Sequence, residues 1–302
     1  MASKKQRLVS GFVARVGKKL EGAKFLDRIG EYAVSLGHRL APPGKIRDIA
    51  SGVPTGHPMH PPLATITMGA FLSSAVLDLT GSDRKAAQRL NQLGFLAAVP
   101  TAYAGLTDFS TTAQAERRVG LVHAACNTVA LGCYGMSWLA RRRGSRGKAG
   151  LWTISGSALL TAGGWLGGHL AYALGVGVDT TVFQQVPTQW RDVAAARDVQ
   201  SHKPLLGWAD SIPVTLFRTR GKIVALADRC THRGGPLHEG TIESGCVVCP
   251  WHGSKFSGAD GAVATGPATR PQPVFETRVV EGRVQVRRGD EQRSLRQQLI
   301  GS

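Results

Sequence analysis

Acidic residues are scarce in this 302-residue chain: 20 Asp and Glu stand against 37 Lys and Arg, for a formal net charge of +17. Such an excess raises the question of nucleic acid, but it is not gathered into one reading face. Residues 1–188 hold 21 basic and 9 acidic side chains, the remainder 16 and 11. Most of the excess therefore lies beside apolar stretches, where it reads as membrane topology and contact with anionic lipid. No nucleic-acid partner is expected. Cysteine is scarce too, at five. Cys126 and Cys133 sit seven apart in an apolar stretch and read as buried packing. Met1–Leu40 has neither a continuous apolar core nor a small-residue cleavage site, so no secretory signal peptide is expected. Internal repeats and long low-complexity tracts are absent.

What is present divides the chain, whose length suggests about two domains. A basic, loosely amphipathic segment, 1–55, carries Phe12, Val16, Leu20, Phe25, Ile29, Ala33 and Leu36 at near-helical spacing. It reads either as an interfacial helix lying on a membrane or as a solvated helix packed on the next domain. A four-span domain, 56–178, follows, with apolar runs at about 63–77, 93–107, 119–140 and 151–176. The first two are short for a bilayer and could be core helices; the last two are long enough and almost uncharged. Trp138 and Trp152 flank the arginine-rich loop from Arg141 to Arg146, as interfacial anchors do. Gly163/Gly167 and Gly164/Gly168 form two overlapping G-x-x-x-G pairs that permit close helix approach. A polar linker, 179–189, leads to short alternating runs broken by Arg220-Gly221, Gly234-Gly235, Asp260-Gly261 and Glu281-Gly282, the pattern of a small antiparallel β domain over 190–288. A charged tail, 289–302, ends the chain.

The strongest signal lies in the β domain: Cys230-Thr231-His232, sixteen residues, then Cys249-Pro250-Trp251-His252. Each short loop supplies one thiolate and one imidazole. Two Cys and two His suit a cluster with one iron held by sulfur and the other by nitrogen. They also satisfy tetrahedral zinc, although zinc modules usually open with C-x2–4-C and keep their histidines together.

The run CTHRGGPLHEG (Cys230–Gly240), CPWHGSKF (Cys249–Phe256) and Gly266-Pro267-Ala268 resembles the Rieske [2Fe–2S] ferredoxin family over about Trp190–Arg288. The resemblance implies that Cys230 and Cys249 hold the inner iron, that His232 and His252 hold the outer iron near the surface, and that the Gly-Pro segment closes a third loop over the cluster. Ser254 matches a serine that hydrogen-bonds sulfur in high-potential members, and Phe256 stands near a tyrosine of those proteins, which implies an intermediate potential. The extra disulfide of respiratory members would need cysteines at Gly235 and Trp251, so it cannot form; this fits a reducing compartment. Arg233 and Lys255 read as a basic rim for an acidic redox partner, or as plain solvated charge. His238 reads as a surface loop residue outside the ligand set.

The helical half resembles an uncharacterised family of bacterial four-span membrane domains on His57-Pro58, His60-Pro61, His123 and Gly168-His169, which implies location and fold only. Threading the spans alternately puts His57, His60, His123, His169 and Asp108 toward one leaflet, the one from which the β domain emerges. Three readings stand for His60, His123 and His169: ligands to a b-type haem, a quinone or proton site, or structural parts in which His57 and His60 cap a helix start while His123 and His169 hydrogen-bond across helices.

The fold expected is thus multidomain: an α-helical transmembrane four-helix bundle plus a small all-β Rieske domain. The function expected is single-electron transfer from a bacterial inner membrane, to a redox partner or an oxygenase. A membrane redox sensor is the third reading. A self-contained oxygenase would need a further iron held by two His and a carboxylate; His202 and His238 are too isolated to supply it. Short loops at Gly81–Leu90 and Arg141–Lys148, with three and five basic residues, pull one side toward the cytoplasm, and eleven through Arg47 pull the other way. An arginine run before the last span would also suit twin-arginine export. With no export signal and no disulfide pair, a cytoplasmic cluster is expected.

Overall fold

The structure, a computed structural model, describes residues 15–288. Expectations for 1–14 and for the tail 289–302 fall outside the described residues. The chain forms two compact units, Met1–Pro43 with Met59–Val176, and Gly44–Pro58 with Gly177–Ser302. Labelled helices are α1 (Asp27–Leu40), α2 (Lys45–Ser51), α3 (His60–Thr80), α4 (Arg84–Phe109), α5 (Gln114–Arg142) and α6 (Arg146–Tyr172).

In the helical unit, α3 pairs with α4 and α5 with α6 as two hairpins, and α3 also packs on α6. Local chemistry sets the ends. Pro61 and Pro62 occupy the first turn of α3, where no backbone donor is needed. Gly81 closes that helix at φ 69°. Asp83 caps α4, its carboxylate accepting the Ala86 N–H at 3.0 Å. The helices of the first hairpin are 21 and 26 residues long, longer than the apolar runs within them, because capped polar turns extend each helix past its apolar stretch.

The unit buries polar groups beside an apolar cluster of Phe71, Ala75, Ala130, Tyr134 and Leu160, and its outer faces are apolar. Ser74 donates to the Ala87 carbonyl at 2.8 Å, Ser137 to that of Ala149 at 2.8 Å, and Tyr134 meets Ser157 at 2.8 Å. Asp78 pairs with Arg141 between the hairpins. Leu96, Val99, Leu151 and Ile154 face outward. Small residues let the helices close. Gly94 lies under the Phe71 ring, Gly163 against Asn127, Gly167 against His123 and Gly164 against Met68, so Gly163 and Gly167 serve the face of α6 toward α5 and Gly164 that toward α3, while Gly168 meets only Tyr172 of its own helix. Of the four long helices, α3 and α5 are long and apolar enough to cross a membrane, and only 28% of each apolar window is buried, whereas a soluble core helix would be mostly buried. α1 packs by its small residues. Its glycines, Gly30 and Gly37, pack on Arg117, Leu106 and Ser110, while Ile29, Tyr32, Leu36 and Leu40 remain exposed as one stripe.

The β unit is antiparallel throughout. A six-stranded sheet runs β1-β10-β9-β4-β3-β2 and a four-stranded sheet β5-β6-β7-β8. The strands are β1 (Arg191–Ala195), β2 (Leu205–Ala209), β3 (Ile212–Thr219), β4 (Lys222–Ala227), β5 (Thr241–Glu243), β6 (Cys246–Val248), β7 (Lys255–Ser257), β8 (Val263–Thr265), β9 (Val274–Val280) and β10 (Arg283–Arg288). Arg220-Gly221 and Glu281-Gly282 turn with both residues at positive φ, the backbone that matches strand twist in two-residue hairpins. One core lies under the larger sheet around Val214, Leu216, Ala225 and Val284. A second, around Phe217, Leu226, Leu237, Val247 and Phe256, includes Cys230 and Cys249.

Candidate metal centre

Three loops converge at one end of the small sheet: 228–240 after β4, 249–254 between β6 and β7, and 266–272 between β8 and β9. The first two share one turn. Gly234 donates its N–H to the Cys230 carbonyl at 2.7 Å, and Gly253 donates to that of Cys249 at 3.0 Å. Both glycines have positive φ, 75° and 76°, a backbone that costs other residues about 1–2 kcal/mol. Gly235 is needed for a different reason: a Cβ there would lie 2.9 Å from the Cys249 sulfur and 3.1 Å from the Trp251 ring.

The four expected ligands come together as two pairs. Cys230 and Cys249, 1% and 3% exposed, hydrogen-bond each other. Sharing one proton draws the Cys249 thiol down to about 7, with backbone N–H groups of Trp251 and His252 helping. The same bond, with burial, pushes Cys230 well up, against the N–H groups of His232 and Arg233. Each sulfur thus already faces backbone donors that suit a thiolate. The His232 and His252 rings lie 5.1 Å apart at 89°. Burial holds His232 well below the ordinary imidazole range, reinforced by the charges of His252, Arg233 and Arg47, so it is the neutral form that binds metal. Its buried Nδ1 meets no hydrogen-bond partner in the described chain, which leaves that nitrogen for a ligand bond.

Two thiols held together and two imidazoles held together match a two-iron cluster, which takes one pair at each iron. The donor set fits the cluster. Over 101 residues the chain is 33% identical to the anthranilate 1,2-dioxygenase ferredoxin subunit of Burkholderia cepacia, an alignment spanning 33% of this chain and 94% of that relative. The chain belongs to the Rieske [2Fe–2S] family.

The Rieske [2Fe–2S] domain model matches residues 189–276, and a model described as a predicted membrane protein (DUF2231) matches 56–180. Ferredoxin CarAc of Metapseudomonas resinovorans is 36% identical over 98 residues, 32% of this chain and 92% of its own. A solved chain from the complex of reduced oxygenase and oxidised ferredoxin in carbazole 1,9a-dioxygenase is 35% identical, covering 32% of this chain and 92% of that one at a TM-score of 0.31.

Around the Rieske site, Ser254 is fully buried and its hydroxyl oxygen accepts the Ala268 N–H at 2.9 Å, tying the second loop to the third. Two further residues had no signal in the sequence reading. Gln272 donates to the Ala227 and Arg229 carbonyls, both at 2.6 Å, and accepts the Thr231 N–H at 3.1 Å. Buried Asp228 accepts from the Thr215 hydroxyl, and from the His238 backbone N–H and ring at 2.8 and 2.9 Å. His238 is therefore not a loose surface histidine: it pins the first loop to Asp228. A lone His or Gln between turn residues has no spacing that betrays a distant partner. Lys255 of the expected basic rim is paired with Glu243 at 2.5 Å, and Trp251 is 55% exposed beside the site. His202 is exposed and joins no cluster.

In the helical unit, His60 and His123 meet, with ring centroids 6.2 Å apart at 78°. His60 Nδ1 bonds the Thr101 carbonyl at 3.0 Å and His123 Nδ1 that of Gly163 at 2.7 Å. His169 goes elsewhere: it pairs with Glu21 at 2.9 Å and stacks on Trp165. The three do not form one cluster, because Glu21, from the helical stretch before α1, captures the third.

Proposed function

We propose that this chain is a membrane-anchored Rieske protein that passes single electrons, with Cys230 and Cys249 holding one iron and His232 and His252 the other. The observation that carries this is the sorting of the four side chains into a buried thiol pair and an imidazole pair. The cluster, when bound, supplies one-electron chemistry at a potential above that of all-cysteine clusters. The protein's part is to present N–H donors to each sulfur, keep His232 neutral, hold Ser254 within the site, and exclude water with Phe256, Leu237 and Val247. Relatives that are ferredoxin subunits of dioxygenases support a separate oxygenase or another redox protein as the acceptor. The outward apolar faces of α3–α6 and the exposed stripe of α1 support a multi-pass anchor, four crossings with α1 lying in the lipid interface. The cytoplasmic side is proposed for the cluster. Purified full-length protein should carry two irons and two acid-labile sulfides per chain; zinc without sulfide would refute the reading.

A second reading concerns the helical unit. His60 and His123 face each other with each Nδ1 fixed on a carbonyl, which favours a shared redox centre on this pair, a b-type haem or a quinone, without His169. A haem Soret band that is lost in His60→Ala and His123→Ala but kept in His169→Ala would support haem. Its absence, with quinone-dependent reoxidation of the cluster lost in the same variants, would support quinone.

A further inference from the structure

A third element reaches the Rieske site from an unexpected part of the sequence. Residues 44–58 precede the first apolar helix, yet they fold as part of the β unit. α2 begins after Gly44 and ends on Gly52 at φ 97°, whose N–H returns to the Asp48 and Ile49 carbonyls at 3.0 and 3.1 Å. The short turn Val53–Thr55 follows. Arg47 and Ser51 are 6% and 3% exposed, so this small helix is packed and not a passing strap.

Its contact is with the third loop. The Asp48 carboxylate accepts the Gly266 N–H at 3.1 Å. A Cβ on Gly266 would lie 2.7 Å from a Val53 methyl and 3.0 Å from that carboxylate, so the backbones can approach only because residue 266 is glycine. From there the third loop reaches both ligand loops: Ala268 N–H donates to Ser254 at 2.9 Å, and the Arg270 carbonyl accepts from the Thr231 hydroxyl at 2.8 Å. A continuous set of bonds thus runs from α2 to the residues flanking Cys249 and Cys230.

We propose that residues 45–55 are a third wall of the cluster site, in which Asp48 is a positioning residue for the third loop. This rests on the Rieske reading. With the Asp48 acceptor lost, the Gly266 end of that loop has no bond to α2, and the loop opens more readily over both ligand loops. Lys45, exposed on the same helix, serves as the control.

The test uses full-length protein in detergent. Asp48→Ala releases iron to a chelator faster than wild type, while Asp48→Asn, which keeps the accepting oxygen, and Lys45→Gln release it at the wild-type rate. Equal iron release from Asp48→Ala and Asp48→Asn would overturn the proposal. Wild-type protein with no iron or sulfide would sink the parent reading instead, so the two failures are distinct.

Discussion

Gly234 and Gly253 are counterparts: each stands four residues after its cysteine, each has φ near 75°, and each donates its N–H to that cysteine's carbonyl. The two ligand loops are therefore one turn used twice, although His232 comes two residues after its cysteine and His252 three. Aligning both backbones the same way sets both sulfurs against backbone donors and brings the two imidazoles against each other.

Each turn should fail when its glycine gains a side chain. Gly234→Ala and Gly253→Ala are expected to cost about 1–2 kcal/mol apiece, read as a lower midpoint in chemical unfolding, with the cluster retained in part. Gly235→Ala should be worse for the cofactor, because its methyl would press on the Cys249 sulfur. Iron and sulfide per chain should fall well below the values of the other two variants.

Ser254→Ala removes the acceptor for the Ala268 N–H and, on the proposed reading, a hydroxyl donor to the cluster. Loss of one buried hydrogen bond should cost about 1–2 kcal/mol, and the midpoint potential should shift negative. A redox titration that finds no shift would leave Ser254 with a structural part alone.

Gln272→Leu would leave the Ala227 and Arg229 carbonyls and the Thr231 N–H without their partner. With three buried groups unsatisfied, stability should drop by on the order of 3 kcal/mol. Gln272→Glu should fare little better, since a carboxylate cannot donate to the two carbonyls. Thermal unfolding of the loaded protein checks both.

In the helical unit, Gly94→Ala would set a methyl 2.8 Å from the Phe71 ring, which is itself stacked on Tyr134 at 4.4 Å. A ring held on both faces cannot yield, so overpacking should cost about 1–3 kcal/mol. Unfolding in detergent should show it, while the cluster's spectrum stays as in wild type.

Much of this architecture is readable in the chain itself. The run Val274–Val280 forms a strand, and turn pairs such as Glu281-Gly282 fall where the hairpins are, because alternation and left-handed turn residues are local signals. The strands β5, β7 and β8 are three residues long, too short to alternate visibly, and they exist because the loops they bracket pack on Phe256 and Val247. The four metal-side residues announce themselves by spacing. Gln272, Asp228 and Asp48 do not, since each acts through a backbone group far along the chain. Likewise, the partner of His169 is decided by Glu21, nearly the whole helical unit away in sequence, which no periodicity records.

The β unit is assembled from two separate stretches of polypeptide, 44–58 and the part after 177, with every long apolar helix encoded between them. During synthesis the first stretch therefore emerges without the sheet it joins, and waits until the whole helical half has left the ribosome. A site with Asp48 seated on Gly266 therefore exists only once the whole helical half has been made, and a chain stalled in the helices never completes it.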